Sequence, residues 1–450
     1  MQSTCRDREL SINDYDVHYL FVSTEDDRYL VKGGIGTYLG IFVRWIEKHR
    51  PGVKVDWVTE SPAENDFVDD RGQIQVHYLA RYRNKKKSDQ DGFANFLEAY
   101  VSKLVTKKLI DPKVRVIVEA PDWEGILANF FSHTCNSRIL FVTRVHGPLQ
   151  LCAVANQFSI TGDKITQDER EQQQLKSSDL ISCPTHFVYD FILKRNLVNE
   201  ARKEFIRVLP NPINTLDFHP VSRATDDLKI GDTLIRTKNF NIAIVGSVEV
   251  RKGAYILAQA IENLCNISPD VHIYIAGHLK DRDDLTANIK LTRDQFLSLI
   301  PDSVHSRVHL LNYVPHQILK NLYARTDLGI VCYLADNFPG VVGEFGAAAI
   351  PFVTTQLGGI PEMISASNGR YLAMTCPGPV SDLASQIFQK VTEFYKDRNI
   401  GTRLANELHD RIHLHFTPEI ALQSICDWYE QSLDDKSEVP TLKRSMHGKN

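Results

Sequence analysis

The chain has 450 residues, more than one hydrophobic core usually serves, so its length predicts two domains of ordinary size. Apolar residues make up 43% and charged residues 24%, as in ordinary soluble globular proteins, and a net charge of −4 excludes whole-molecule attraction to nucleic acid or to an anionic membrane. Partners must therefore be inferred from individual sites.

The first residues contain no basic region followed by an apolar run, and no stretch approaches about 18 uncharged apolar residues. We therefore expect a cytoplasmic protein without a transmembrane segment. The eight cysteines are scattered, with no CxxC pair and no metal-ligand spacing, which predicts reduced thiols and no metal site.

Short apolar runs alternate with helix-like stretches in the first half of the chain. The runs cover residues 18–23, 114–120, 138–147 and 179–185, and the helix-like stretches include 36–49 and 92–109. Apolar strands that alternate with helices are typical of a parallel sheet covered on both faces.

The same pattern starts again after a connector, residues 208–233, that is rich in Pro, Asn and Asp. The second set of strand-like runs covers 240–248, 272–277, 307–314, 328–334 and 350–355, separated by helices at 252–265 and 315–326 and by a helical insertion at 282–304. Segments 381–396 and 417–433 are also helix-like. The sequence thus predicts an α/β protein of two doubly wound domains that bind ligands where the carboxyl ends of their strands face each other across a cleft.

The stretch VKGGIGTYLGIFVRWI (31–46) follows the first strand and opens a helix. Its glycines, Gly33, Gly34 and Gly36, allow close backbone approach, and a helix N-terminus favours an anion. A glycine-rich turn before a helix is as often a device for tight packing, so phosphate contact and packing are equal alternatives. The spacings of the dinucleotide fingerprint and of the Walker loop are absent.

The stretch IVGSVEVRKGAYILAQAI (244–261) repeats this arrangement in the second half, with Arg251 and Lys252 before Gly253. Basic side chains at this point can neutralise a diphosphate leaving group, with Lys252 as a point charge. A pair of solvated loop cations is the alternative.

The stretch DNFPGVVGEFGAAAIPFVTTQLGGIPEMI (336–364) places Asp336 just after a strand and Glu344 near the start of a helix. Each carboxylate alone is an ordinary cap or a complement to the helix dipole. Together, in a phosphate-rich cleft, they can accept hydrogen bonds from sugar hydroxyls while the helix start offers amides to phosphate. Glycoside hydrolysis by an acid and base pair is the competing interpretation, but the phosphate-type loops argue against water as the acceptor.

The succession GGIGTY, RVHG, VLPNPIN, VGSVEVRKG and DNFPGVVGEFGAAAIPFVTTQLGGIPE resembles the retaining GT-B glycosyltransferases related to glycogen and sucrose synthases (family 4-like, group 1). The resemblance covers nearly the whole chain, and its most specific motifs lie in the C-terminal half. It implies two Rossmann-like domains facing across a cleft. Residues 1–215 would form the acceptor domain, 216–415 the nucleotide-sugar donor domain, 416–433 a helix that packs back on the first domain, and 434–450 a polar tail.

The resemblance also implies roles for the residues of the D-x7-E stretch. Asp336 and Glu344 match the two acids whose counterparts hydrogen-bond the donor sugar and the nucleotide ribose, respectively. Backbone amides of Phe338, Gly340 and Val341 would face the sugar and the phosphate.

Further site residues follow from the same resemblance. His146 matches a histidine at the donor sugar, Lys252 matches the phosphate-binding lysine, segment 310–314 would lie near the base, and Glu362 would line the cleft. The loop that closes on the donor diphosphate corresponds to Gly33, Gly34 and Gly36.

The chain departs from the family pattern at the donor site. Ser247 stands where the phosphate-binding segment usually has an arginine, and the neighbouring Arg251 is the candidate to replace it from a different position. Asp336 is one methylene shorter than the usual glutamate, and Pro339 replaces a glycine and has no N–H to donate.

The resulting hypothesis is a retaining, metal-independent glycosyltransferase that uses a nucleotide-sugar co-substrate and no cofactor. A UDP-sugar is the expected donor, with a GDP-sugar as the alternative, and the acceptor is a hydroxyl on a glycan, a lipid-linked sugar or a small molecule. Its competitors are a non-catalytic GT-B binding or regulatory partner, which the departures favour, and a GT-B epimerase or phosphorylase.

Two further segments carry charged residues without a settled role. Glu119 and Asp122, in VEAPDW, follow a strand and either contact the acceptor or cap a turn. The basic run RYRNKKK (81–87) is either a solvated loop or a peripheral contact with a membrane or an anionic acceptor.

Overall fold

The structure is a computed structural model that describes residues 16–26, 33–61, 63, 65–80, 90–220, 223–277, 279 and 291–438. In the N-terminal domain the described strands, β1 to β8, are Asp16–Val22, Lys54–Glu60, Phe67–Asp70, Ile74–Leu79, Val114–Pro121, Ile139–Arg144, Leu180–Cys183 and Ile206–Val208. Its helices, α1 to α6, are Gly34–His49, Gln90–Lys108, Ala128–His133, Leu149–Ala155, Asp163–Ser177 and His186–Lys194.

These strands form one sheet in the order β3-β4-β2-β1-β5-β6-β7-β8. Neighbouring strands run parallel except for the pair of β3 and β4 at one edge. Strands β5 and β6 are buried along their whole length, because helices cover both faces of the sheet. The N-terminal domain therefore confirms the α/β prediction.

The C-terminal domain repeats the architecture with a second parallel sheet. Its strands, β9 to β16, are Leu228–Ile230, Thr233–Ile235, Phe240–Val245, Val271–Ala276, Val308–Asn312, Leu328–Val331, Phe352–Thr355 and Met374–Cys376. The helices that follow, α7 to α14, are Ala254–Cys265, Arg293–Leu297, His316–Tyr323, Gly340–Ala347, Ile360–Ile364, Leu383–Lys396, Asn399–His415 and Pro418–Glu438. The sheet has the order β13-β12-β11-β14-β15-β16, and β9 pairs with β10 in a separate antiparallel ribbon.

Three details differ from the sequence-based prediction. The connector 208–233 is not simply a polar loop, because it contains β9 and the start of β10, joined through Gly231 at φ +55°. Within the described part of the predicted insertion 282–304, regular structure is limited to the short helix α8 and the start of a 3-10 turn at 302–307. Helix α13 was not predicted, since its apolar stripe lies in a polar segment.

The last helix returns to the N-terminal domain. In α14, Glu430 accepts hydrogen bonds from the Tyr19 hydroxyl at 2.7 Å and from Arg50 at 2.8 Å. Lys436 of the same helix pairs with Asp179 at 2.5 Å. The helix continues to Glu438, beyond residue 433, where the sequence placed its end, while residues 439–450 lie outside the described part of the chain.

Within the described ranges, no helix combines the length and the apolar character needed to span a lipid bilayer. The basic run 81–87, considered above as a peripheral membrane contact, lies outside the described residues.

A buried carboxyl group lies where α14 meets the N-terminal sheet. Glu119, in β5, is 2% exposed and accepts hydrogen bonds from the hydroxyls of Tyr429 in α14 at 2.8 Å and Tyr38 in α1 at 3.3 Å. Burial raises the pKa of Glu119 to about 7, although the charge of Arg144 and the tyrosine hydrogen bonds act to lower it. Glu119 thus joins two helices to the sheet and does not face an open cleft.

This pKa predicts a specific pH dependence of stability. The folded protein holds the Glu119 proton more tightly than the unfolded chain does. The contribution of protonated Glu119 to the free energy of unfolding is therefore complete below the ordinary pKa of 4.5 and is lost as the pH rises through about 7. The pKa shift of Glu119 corresponds to about 3 kcal/mol in the free energy of unfolding. We expect Glu119→Gln to flatten the fall of the melting temperature between pH 5 and pH 8, whereas the exposed control Glu47→Gln keeps the wild-type slope. Equal slopes for both variants would contradict this assignment.

Candidate active site

The loop between β14 and α10 holds the first acidic residue of the D-x7-E pattern. Asp336 lies just after β14, and its Oδ2 accepts a hydrogen bond from Arg251 Nη1 at 2.8 Å. Its backbone carbonyl accepts a second bond, from the amide of Gly359 at 2.8 Å. Both the side chain and the backbone of Asp336 are therefore held in place by neighbouring loops.

The Gly-Gly pair after β15 is required by this close approach. Gly358 has φ +64°, and a Cβ there would lie 2.5 Å from the carbonyl oxygen of Asp336. A Cβ on Gly359 would lie 1.7 Å from the carbonyl oxygen of Asn337. Only glycine allows the two loops to pack at this distance.

Glu344, the second acidic residue, is fixed by a buried tyrosine. Its Oε2 accepts a hydrogen bond from the hydroxyl of Tyr323 in α9 at 2.6 Å, and Tyr323 is 3% exposed. Burial, together with the charge of Glu344, raises the pKa of Tyr323 well above its ordinary value, so the hydroxyl stays a donor. The other oxygen, Oε1, lies near the start of α10, since a Cβ on Gly340 would be 3.8 Å away.

The first turn of α10 lies beside this carboxylate. The helix begins at Gly340 after Pro339, and the amide of Val342 donates to the carbonyl of Pro339 at 3.0 Å. The amides of Gly340 and Val341 belong to the helix end that has no intrahelical partners, as their predicted role requires. The side chain of Phe338 is buried in the core of the domain.

The predicted phosphate-binding cations lie in a short 3-10 turn, Val250–Lys252, between β11 and α7. The turn ends at Gly253, which has φ +78° and whose Cβ would lie 2.1 Å from the carbonyl oxygen of Cys332. Since Cys332 directly follows β14, this packing brings the turn against the Asp336 loop.

Arg251 is held between two carboxylates. Its guanidinium group contacts Asp336 at 2.8 Å and Glu249 at 3.0 Å. Burial acts to lower the pKa of Arg251, but these two carboxylates raise it above its ordinary value. Arg251 is therefore charged and, in this conformation, committed to Asp336 and Glu249.

Lys252 lies over the end of β11. Its Nζ is 5.1 Å from the ring centroid of Tyr333 and 3.9 Å from Glu249 Oε1. A Cβ on Gly246 would lie 3.5 Å from the same Nζ, so the ammonium group is near the turn that carries Ser247. Lys252 thus places a positive charge close to the position where the family pattern has an arginine and this chain has a serine.

The glycine loop of the N-terminal domain already holds an anion, the side chain of Glu25. Helix α1 begins at Gly34, and the amide of Gly36 donates to Glu25 Oε2 at 2.9 Å. A Cβ on Gly33 would lie 3.0 Å from Glu25 Oε1. The loop is therefore tightly packed against the protein's own carboxylate, and phosphate contact by this loop stays a prediction.

His146 lies in a turn after β6 that is fixed by Asp122. The Asp122 carboxylate accepts hydrogen bonds from the amides of His146 at 2.7 Å and Gly147 at 3.1 Å, which is the turn-capping alternative. Burial raises the pKa of Asp122 to about 6, although these amides act to lower it. Burial, and then the charge of Arg144, lower the pKa of His146 to about 3, so its imidazole is neutral at physiological pH. The ring packs edge-on against Tyr38, with centroids 5.3 Å apart.

Two residues of the C-terminal loops contact the N-terminal domain. Glu362, expected to line the cleft, accepts hydrogen bonds from the amides of His186 at 2.7 Å and Phe187 at 2.8 Å, and so caps α6 across the cleft. Asn337 hydrogen-bonds Val145, His146 and Thr185 in the same domain. These hydrogen bonds close the cleft between the two domains at this point.

Segment 310–314, expected near the nucleotide base, lies at the edge of the C-terminal sheet. Strand β13 ends at Asn312, which has φ +57° and whose carbonyl accepts a hydrogen bond from the amide of Gly277 at 2.8 Å. The next side chain, Tyr313, is 42% exposed.

Sequence reasoning missed four residues of the site: Glu25, Glu249, Tyr323 and Asn337. Glu249 and Asn337 stand within the quoted motifs, one or two positions from residues that were selected, and the charge of Glu249 between two valines was an available signal. Tyr323 gave no signal, because its partner Glu344 is brought close only by the fold.

Part of the chain is similar in sequence to known proteins. Residues 239–393 match the protein family described as Glycosyl transferases group 1. The Phosphatidylinositol N-acetylglucosaminyltransferase GPI3 subunit of Saccharomyces cerevisiae (strain YJM789) is 28% identical over 238 residues, which are 53% of this chain and 47% of that protein. The D-inositol 3-phosphate glycosyltransferase of Corynebacterium kroppenstedtii is 27% identical over 231 residues, 49% of this chain and 48% of that protein. The chain spans about half the length of these curated relatives.

Solved structures show a wider likeness. Sucrose-phosphate synthase from Thermosynechococcus elongatus has a TM-score of 0.74 at 17% identity and covers 93% of this chain and 100% of its own. Anabaena HepE in complex with UDP has a TM-score of 0.60 at 16% identity and covers 92% and 100%, respectively. The chain therefore has the fold of the GT-B glycosyltransferases. Residues 239–393 are similar to the Glycosyl transferases group 1 family, which agrees with the resemblance that the motifs carry.

The glycine packing leads to a prediction about stability. We expect Gly359→Ala to destabilise the protein by about 1–3 kcal/mol, because the added methyl group overlaps the Asn337 carbonyl and must push the two loops apart. The control is Gly340→Ala, where the nearest atom, Glu344 Oε1, is 3.8 Å from the new Cβ. Urea denaturation of the two variants measures the difference. Equal stability of Gly359→Ala and wild type would show that the loops do not pack as described.

Proposed function

We propose that the protein is a retaining glycosyltransferase that moves a sugar from a nucleotide-diphosphate sugar to an acceptor hydroxyl. The observation that carries the proposal is that the turn with Lys252 packs against the loop that leads from Asp336 to Glu344 on α10. Strands β11 and β14 are neighbours in the parallel sheet, so the loops after them lie side by side. A nucleotide-diphosphate sugar would need these groups in a fixed arrangement, with Asp336 at the sugar, Lys252 at the diphosphate and Glu344 at the ribose.

Each group has a distinct task in the proposed site. Glu344, with one oxygen held by Tyr323, offers the other to ribose hydroxyls. The first-turn amides of α10 favour a phosphate, because they carry the positive end of the helix dipole. Lys252 neutralises the leaving diphosphate, and Asp336 accepts a hydrogen bond from a sugar hydroxyl.

The proposed reaction needs no protein nucleophile. The bond between the anomeric carbon and the diphosphate oxygen breaks while the acceptor oxygen bonds the same face of that carbon. The acceptor proton passes to the departing phosphate oxygen. The protein contributes orientation and electrostatic stabilisation through groups that are already in place. His146, whose pKa lies near 3, takes part as a neutral hydrogen-bonding group.

The names of the relatives suggest which substrates to test first. Several are named phosphatidylinositol N-acetylglucosaminyltransferase and one D-inositol 3-phosphate glycosyltransferase. We therefore propose an acceptor hydroxyl on an inositol-bearing molecule and, with UDP as the expected nucleotide, UDP-N-acetylglucosamine as the first donor.

A non-catalytic binding partner is the second candidate. Its support is the charge balance at the donor site, where Arg251 and Lys252 face Glu249 and Asp336 and leave no net positive charge. In that case nucleotide binding would be weak and transfer absent. The relatives named as subunits make such a role chemically reasonable for a chain of this fold.

Release of UDP from a panel of UDP-sugars, with and without inositol acceptors, tests the proposal. We expect wild type to release UDP from one donor and Glu344→Gln to lose about 99% of that rate, because the ribose is no longer oriented by a charged acceptor. Glu262→Gln, an exposed substitution on α7, should match wild type. NMR of the product then reads its anomeric configuration. No release with any donor would favour the second candidate, whereas equal release by wild type and Glu344→Gln would show that Glu344 does not orient the ribose.

Removal of the Lys252 charge should weaken donor binding. We expect Lys252→Ala to raise the dissociation constant for UDP about tenfold or more, that is by ~1.4 kcal/mol. Isothermal titration calorimetry measures this effect. The control Lys229→Ala removes an equal charge from the exposed β9 strand and should leave the constant unchanged. If both variants bind UDP like wild type, the diphosphate does not lie at Lys252.

A further inference from the structure

We propose that Asn337 positions the two domains for transfer, by tying the donor-sugar loop directly to the turn that carries His146. The catalytic part of this inference rests on the proposed function, whereas the structural part does not. Asn337 immediately follows Asp336, so one residue faces the donor site and the next faces the other domain.

The side chain of Asn337 is used almost entirely for this contact. Its Nδ2 donates to the carbonyl oxygens of Val145 at 3.2 Å and His146 at 3.3 Å. Its Oδ1 accepts a hydrogen bond from Thr185 Oγ1 at 2.6 Å. Asn337 is 4% exposed, and these three partners all belong to the N-terminal domain.

The backbone of Asn337 is fixed from its own domain. Gly359 packs closely against its carbonyl oxygen, which restricts movement of the loop toward that residue. The Asn337 side chain therefore extends from a restricted backbone, and its hydrogen bonds hold the N-terminal domain in position relative to this loop.

The contact continues into helix α6. Thr185, which donates to Asn337, is the N-cap of α6 and accepts a hydrogen bond from the amide of Val188 at 3.4 Å. Glu362 holds the next two amides of the same helix end. The loops after β14 and β15 thus form hydrogen bonds with one helix terminus and one turn of the N-terminal domain.

Opening of the cleft would break these hydrogen bonds between the domains. The His146 turn is also fixed from behind by Asp122. A shift of the turn by about 1 Å relative to the donor can cost on the order of 10²-fold in rate. Asn337 is therefore a positioning residue, while donor contacts remain with Asp336, Glu344 and Lys252.

The substitution Asn337→Asp tests this inference without a change in side-chain size. The carboxylate keeps an acceptor for Thr185 but cannot donate to the carbonyls of Val145 and His146, and it repels both. We expect a larger radius of gyration by small-angle X-ray scattering. We also expect a fall in kcat of about tenfold or more at saturating donor, with the KM for donor and the Kd for UDP within about twofold of wild type.

Two further variants complete the experiment. Thr185→Val removes one of the three hydrogen bonds and should give a smaller change of the same kind, which keeps the test informative if Asn337→Asp folds poorly. Asn368→Ala, in an exposed turn of the same domain, is the control and should match wild type.

The outcomes separate the two proposals. An unchanged radius of gyration in both Asn337→Asp and Thr185→Val would overturn the positioning role, whatever the activity. A rise in the Kd for UDP equal to the fall in kcat would also overturn it, since Asn337 would then serve the donor site itself. If Asn337→Asp has a larger radius of gyration but wild type binds no nucleotide, the interdomain contact is supported and the proposed function is contradicted.

Discussion

Burial of the loop between β14 and α10 against the facing domain is the constraint on which the candidate site depends. Asn337 finds its hydrogen-bond partners across the cleft, and its carbonyl packs against a glycine of its own domain. Buried side-chain amides are normally hydrogen-bonded, and that of Asn337 finds its partners in the facing domain. The shape of the loop between β14 and α10 and the relative position of the domains therefore depend on each other.

Electrostatics make Lys252 the central cation of the site. Arg251 is engaged by Asp336 and Glu249, and Ser247 supplies no charge where the family pattern has an arginine. A diphosphate in the site would bring negative charge to a region where Arg251 and Lys252 already face Glu249 and Asp336. Under the proposed function, donor binding would therefore depend on the helix N-terminus of α10 and on Lys252 to a greater degree than the family pattern implies. The Glu25 carboxylate makes the glycine loop less available to an external anion, because it already accepts the hydrogen bond of the Gly36 amide.

Much of the fold could be predicted from the sequence, because buried parallel strands are continuous apolar runs and their order follows the chain. The runs at 240–248, 272–277 and 328–334 correspond to β11, β12 and β14. The β9–β10 ribbon was not predicted, because its strands have three residues each and carry polar neighbours. Helix α13 was missed for a related reason, since its buried residues, such as Leu404 and Leu408, are separated by charged ones.

The site was predictable to the extent that local motifs define it. Asp336, Glu344 and Lys252 stand in stretches whose strand–loop–helix context indicates chemistry without a structure. The roles of Asn337 and Glu362 depend on partners 192 and 176 positions away in sequence, and a single sequence does not reveal such pairs. The pairing of Arg251 with Asp336 likewise required the packing of two loops.

A crystal structure of the protein with UDP tests the central claim most directly. The account predicts diphosphate oxygens within hydrogen-bond distance of Lys252 Nζ and of the first-turn amides of α10, with the ribose hydroxyls on Glu344. Nucleotide bound elsewhere in the cleft, or a diphosphate with no contact to Lys252 and α10, would contradict it.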